Sequence, residues 1–261
     1  MGRASALVAE EGQALSLFDP GLRPEHPAKF SRSVLAALSH ALSEEVLGRP
    51  YYEVYPPVFG DQTLGGLRVL DPFAGTGLIH VLQDYSYTSP FQTWGVELEP
   101  EWAAYHPRTI VGDARELPFP DATFDVIATS CVYGNRMSDH HNASDDSVRH
   151  TYRHMLGREL SPGNAGELQW GEQYRKFHTT VWRECWRVLR PGGLILMNIK
   201  DHVRAGRVIE VAAWHQTELE RNFTIETVEH VDTPGFRRGA NRDTRVEGEV
   251  IIHGRKPLAV L

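Results

Sequence analysis

Cysteine is scarce in this 261-residue chain, with Cys131 and Cys185 alone. Two cysteines do not make a disulfide framework, which suits a reducing compartment, and a cytoplasmic location is expected. No run approaches the ~20 apolar residues needed to cross a bilayer, so no membrane partner is expected. The N-terminus lacks a basic stretch followed by an apolar one, so no secretory signal is expected either. The 13 histidines include no pair at a convincing zinc spacing with cysteine, and no metal is expected. Positive charge is also short: 27 Lys and Arg against 34 Asp and Glu give a net charge of −7. That argues against a uniformly basic coat for nucleic acid, though not against a local basic patch. The chain carries no internal repeat and no low-complexity tract.

What is present reads as an ordinary globular chain, 41% hydrophobic and 23% charged. The length fits one large α/β domain, or one with an insertion. Residues 1–25 lack periodicity and read as an N-terminal arm. Val34, Leu35, Leu38, Leu42 and Val46 then recur at helical spacing, stopped by Gly48 and Pro50. Strands are expected at 67–71, 91–98, 109–112, 124–129 and 194–199. Helices are expected at 172–189, ended by Pro191-Gly192-Gly193, and at 205–221. Residues 223–231 and 246–253 read as a closing antiparallel pair. Strands alternating with helices predict a mostly parallel sheet covered on both faces.

The most telling stretch is Val69-Leu70-Asp71-Pro72-Phe73-Ala74-Gly75-Thr76-Gly77. It reads as a buried strand, a glycine turn and a helix start. Gly75 and Gly77 remove side chains that would block a cofactor from the backbone. The spacing is neither a dinucleotide fingerprint nor a P-loop. Glu97 follows 20 residues after Gly77, at the end of the next strand, where an acid commonly accepts from ribose hydroxyls. The plainer reading is a solvated acid in Glu97-Leu98-Glu99. Asp113 ends the third strand and also reads as a helix N-cap. Thr129-Ser130-Cys131-Val132-Tyr133-Gly134-Asn135-Arg136 closes the fourth.

The Asp71–Gly77 run resembles the S-adenosylmethionine (SAM) loop of amino-methylating DNA methyltransferases. More broadly, residues 26–253 resemble the DNA methylases of actinobacterial phages and prophages. The resemblance is most specific in Asp71–Gly77 and in Tyr133–Arg136 with Met137-Ser138-Asp139. It continues through Thr151-Tyr152-Arg153, Leu156-Gly157-Arg158 and Gln169-Trp170-Gly171. It implies a class I SAM-dependent methyltransferase fold, a seven-stranded, mostly parallel, Rossmann-like sheet with a terminal antiparallel hairpin. Residues 26–261 would form that domain, with a 134–176 insertion facing the target. SAM would lie against Phe30, Asp71, Phe73, Ala74, Gly75, Thr76, Gly77, Glu97, Asp113 and Ala114, with Asp113 accepting from the adenine amine.

Amino-methylating DNA methyltransferases, which this stretch resembles, carry Asp/Asn/Ser-Pro-Pro-Tyr/Phe where this chain has Ser130-Cys131-Val132-Tyr133. By that likeness Ser130 and the Cys131 carbonyl would orient an exocyclic amine of adenine or cytosine, and Tyr133 would stack on the base. Such chemistry needs acceptors beside a nitrogen that becomes positive as methyl arrives. It also needs a base flipped out of double-stranded DNA. Both prolines, which stiffen the loop in relatives, are replaced. Asn135 and Arg136, and the cluster Arg237, Arg238, Arg242 and Arg245, are the candidate DNA contacts, the cluster suiting phosphates. Three rival readings stand: Cys131 as a nucleophile on a pyrimidine ring carbon; methylation of RNA, a small molecule or a protein; and an inactive DNA-binding homologue.

Overall fold

Neighbouring residues of the central strands feed two separate cores. The structure is a computed structural model and describes residues 30–48, 66–84, 91–134, 152–233, 246 and 248–258. The expected N-terminal arm at 1–25 and the segment 26–29 lie outside these residues, as do Asn135, Arg136, Arg237, Arg238, Arg242 and Arg245.

In chain order the elements are α1 (Arg32–Leu47), β1 (Leu67–Asp71), α2 (Val81–Asp84), β2 (Phe91–Glu97), α3 (Pro100–Ala103), β3 (Thr109–Val111) and β4 (Phe124–Ser130). Then come α4 (Tyr152–Leu156), α5 (Glu172–Val188), β5 (Leu189–Ile199), β6 (His202–Arg204), β7 (Arg207–Ile209), α6 (Val211–Leu219), β8 (Thr224–Val231) and β9 (Glu249–Arg255). The sheet order is β3-β2-β1-β4-β5-β9-β8, seven strands with β9 antiparallel to both neighbours. This is the seven-stranded, mostly parallel sheet with a terminal antiparallel hairpin that the resemblance implied.

Side chains alternate across a strand. Val69, Val126, Ala128, Leu194 and Leu196 pack on one face with Val34, Leu38 and Leu42 of α1. Leu70, Ile127, Ile195 and Met197 pack on the other with Val181, Cys185 and Val188 of α5. Burial on both faces explains why these strands read as unbroken apolar runs. Helix α1 starts at Ser31, whose hydroxyl accepts from Val34 N at 3.1 Å.

Two expectations are corrected. Helix α5 ends at Val188, and β5 begins at once with Leu189, paired to Phe124. Pro191-Gly192-Gly193 is therefore an irregular step inside a strand, with Gly192 at φ +72°. Residues 205–221 are not one helix. A β6–β7 hairpin turns on Ala205 and Gly206, at φ 49° and 72°, and α6 starts only at Val211. Two successive positive φ values favour a tight two-residue turn over a helical turn.

The strand order reverses between β1 and β4. Ligands of open α/β sheets bind at such a switch point, outside the carboxyl ends of the strands. Asp71, Glu97, Val111 and Ser130 all end their strands there.

Candidate active site

The glycine turn after β1 is held from below. Asp71 is buried, and its Oδ1 accepts from Phe73 N at 3.0 Å and from Thr129 Oγ1 at 2.6 Å. Burial pushes its carboxyl up to about 7 despite these bonds. Gly75 and Gly77 have φ of 53° and 79°. A Cβ on Gly77 would lie 2.9 Å from His106 Cβ and from His80 Cδ2. The need for glycine there is met by the turn and its packing, before any ligand is considered.

Glu97 closes the turn from the side. Its Oε2 accepts from Gly75 N and its Oε1 from Glu99 N, both at 2.9 Å. Burial pushes its carboxyl up to about 7. The Leu98 backbone also favours its ionised form; a carboxylate offers about four lone-pair sites, so acceptor capacity remains. Asp113 is different. Burial opposes its ionisation, but hydrogen bonds from Arg115 outweigh that and hold its carboxyl below the usual range. Arg115 N donates to Oδ1 at 2.8 Å, and the guanidinium spans both oxygens. The turn-capping role is thus realised, and a ligand amine would share Asp113 with Arg115.

A cavity of about 600 Å³ opens over these strand ends, within the ~300–1,000 Å³ of small-ligand sites. Phe30, Phe73, Glu97, Asp113 and Ala114 line it, as do Ser130, Cys131 and Tyr133. Asp71, Ala74, Gly75, Thr76 and Gly77 are not among its lining residues; they form the support behind Phe73 and Glu97.

The segment 152–167, which the sequence left unassigned, covers the β2–β3 side. Tyr152, Gly163, Asn164 and Ala165 line the cavity. Glu99 fastens this cover. Its fully buried carboxylate accepts from Ser161 N and Oγ at 2.9 Å, Asn164 Nδ2 at 2.6 Å and Arg158 Nη2 at 2.7 Å. Arg158 also pairs with Glu101, and Arg153 pairs with Glu159 and Glu167. These arginines of the insertion are spent on the protein itself.

On the β4–β5 side stands a second polar group. Tyr133 Oη donates to Glu249 Oε2 at 2.9 Å and lies 3.1 Å from Ser130 Oγ. Asn198 Nδ2 reaches Ser130 Oγ and Tyr133 Oη at 3.1 Å and Glu249 Oε2 at 2.8 Å. Glu249 and Lys200 also line the cavity. Sequence reasoning missed Asn198 and Glu249. A lone Asn in the apolar run Leu194–Ile199 was a usable signal. Glu249 gave none, because only the β5–β9 pairing brings it near Asn198.

Cys131 is buried, with Sγ 3.8 Å from Met197 Sδ and from His215 Nε2. Burial pushes its thiol well up and holds His215 well below the ordinary histidine range. A neutral histidine beside a protonated thiol does not make the thiolate that a nucleophile requires. Cys131, His178 and His215 nevertheless bring three potential metal-ligand atoms within 4.8 Å of one another. Their distance in sequence hid that grouping.

The residues present fit SAM: the half-buried Glu97 carboxylate at the cavity wall, a second acid beyond it, and aromatic walls from Phe73 and Phe177. No helix among the described residues is long and apolar enough to cross a membrane.

No family model matches the sequence, and no curated protein does. Among solved structures, TrmN from Thermus thermophilus is similar over 86% of this chain and 52% of its own, at 17% identity and a TM-score of 0.48. The chain thus spans about half the length of that protein. The (4+2) cyclase SpnF is similar over 88% and 98%, at 16% identity and a TM-score of 0.46. The 1,6-didemethyltoxoflavin-N1-methyltransferase of Burkholderia thailandensis, solved with S-adenosylhomocysteine, is similar over 86% and 78%, at 17% identity and a TM-score of 0.44. No residue role is carried across from these proteins.

Proposed function

We propose that this protein transfers a methyl group from SAM to an exocyclic amine of adenine or cytosine in DNA. The observation that carries the reading is one cavity with Glu97 and Asp113 on one side of β1 and Ser130, Tyr133 and Glu249 on the other. SAM, when bound, supplies an electrophilic methyl group. Glu97 would accept from the ribose hydroxyls with its remaining lone pairs. Ser130 Oγ and the Cys131 carbonyl would accept from the target amine and aim its nitrogen. That nitrogen would gain positive charge as it takes the methyl carbon and the carbon's bond to sulfur breaks, with S-adenosylhomocysteine as the leaving group, and would then give a proton to water. Glu249, fixed by Tyr133 and Asn198, would place negative charge on that wall. The ring of Tyr133 would face the flipped base. Asn135, Arg136 and the cluster Arg237, Arg238, Arg242 and Arg245 are the proposed DNA contacts.

A second reading, methylation of a small-molecule amine, is favoured by the internal pairing of Arg153 and Arg158. The buried thiol of Cys131 counts against the covalent reading. Incubation with methyl-labelled SAM and equal amounts of duplex DNA, RNA and small amines separates these. The proposal expects label in DNA. Label confined to RNA or to a small amine would overturn it.

A further inference from the structure

The loop that closes β4 lacks both prolines of the family it resembles, yet it is not loosely held. We infer that Trp182, His215 and Tyr174 form an oriented hydrogen-bond chain that fixes the Ser130–Gly134 loop from behind. The inference rests on the reading of that loop as the surface presenting the target amine.

The direction of the chain follows from its first member. An indole N–H only donates. Trp182 Nε1 lies 3.1 Å from His215 Nδ1, so that nitrogen is an acceptor. Buried and neutral, His215 must then carry its proton on Nε2. Nε2 lies 2.8 Å from Tyr174 Oη and donates to it. The hydroxyl proton of Tyr174 is then free for the Val132 carbonyl, 2.6 Å away. Every donor in the chain meets an acceptor, and the last acceptor is the loop.

That carbonyl belongs to the peptide joining Val132 to Tyr133. Holding it limits ψ of Val132 and φ of Tyr133, on either side of the plane from which the Tyr133 ring hangs. Prolines at 131 and 132 would instead fix φ of those residues. A second clamp sits at Gly134, whose carbonyl accepts from Trp170 N at 2.9 Å. Gly134 has φ +68°, and a Cβ there would lie 3.1 Å from the Tyr174 ring. The loop therefore lies flat on the start of α5. Tyr174, His215 and Trp182 act through the loop and are positioning residues.

The same neighbourhood raises a rival, a metal bound by Cys131, His178 and His215. His178 does present a bare, buried Nε2, because its Nδ1 donates to the Tyr174 carbonyl at 3.0 Å. But a metal at His215 Nε2 needs a lone pair where the chain puts a proton, and it needs a thiolate at Cys131. The two readings make opposite statements about one proton.

Nitrogen NMR on the full chain with labelled histidine reads that proton directly. The chain expects His215 protonated on Nε2 and no stoichiometric zinc by elemental analysis. Tyr174→Phe keeps the ring and removes the link. Hydrogen exchange at the Tyr133 and Gly134 amides should then rise about ten-fold, the upper scale of one net hydrogen bond, with exchange inside α5 unchanged. Trp182→Phe, two links back, should raise it about three-fold. His215 protonated on Nδ1, a stoichiometric metal, unchanged loop exchange, or an equal rise throughout α5 would each overturn the inference. None of these readouts uses a methyl acceptor, so they stand whether or not DNA is the substrate.

Discussion

The two sides of the crevice are built differently. On the proposed cofactor side, Gly75 and Glu99 give backbone N–H groups to one carboxylate, Glu97, which ties the turn after β1 to the end of β2. On the proposed target side, Ser130, Tyr133, Asn198 and Glu249 arrive from three strands and a loop and meet only through side chains. The first arrangement rests on backbone groups at the ends of two adjacent strands. The second depends on the whole sheet being in register. A motif in sequence marks the first kind of site, and tertiary packing makes the second.

The comparison predicts that the two sides fail separately. Glu249→Gln should cost the most, lowering the methyl-transfer rate by about a hundred-fold, the scale of one lost electrostatic stabiliser. SAM affinity, measured by calorimetry, should not change. If SAM binding falls with the rate, the sides are not separable.

Glu97→Ala should show the reverse. A hydrogen bond to a charged group contributes about 1.5–3 kcal/mol, so SAM binding should weaken by roughly ten-fold or more. Unchanged affinity would remove Glu97 from the cofactor side.

Protons sharpen the same point. Burial raises Glu97 to about 7, so the folded protein holds a proton that the unfolded chain has already released. This stabilises the fold below the ordinary carboxylate range and is lost as pH rises through about 7. Ribose hydroxyls favour the ionised form, so SAM affinity should rise by about ten-fold from pH 6 to pH 8. Glu97→Gln should flatten that dependence. Asp71 is raised likewise, but it does not line the cavity and should leave the slope of the variant near zero.

The smallest effect belongs to the double substitution Cys131→Pro, Val132→Pro. It restores the Pro-Pro pair of the family that the sequence resembles and should keep or modestly raise the rate. Total loss of transfer in that variant, with SAM binding intact, would revive a thiol nucleophile.

Strands β1 and β4 were legible from the apolar runs Val69-Leu70 and Val126-Ile127-Ala128, buried on both faces, and the edge strand β3 from its β-branched Thr109-Ile110-Val111. Phe177, Val181, Cys185 and Val188 marked the inner face of α5 in the same way. The start of β5 was not legible, since Pro191-Gly192-Gly193 carries the signature of a stop while serving as a kink within the strand. The β6–β7 hairpin hid because Ala205 adopts a positive φ that its side chain gives no hint of. Glu99 drew no reading of its own in the sequence, because its partners at 158–164 lie 59 to 65 residues away. Long-range partners of that kind leave no periodicity to read.

The most direct test of the account is a hydrogen-exchange footprint of SAM on the full chain. Slower exchange at residues 73–77, 97–99, 113–115 and 161–165, with residues 224–231 at the far edge of the sheet unchanged, is the result the account predicts. Absence of binding, or protection confined to residues away from the strand ends, would contradict it.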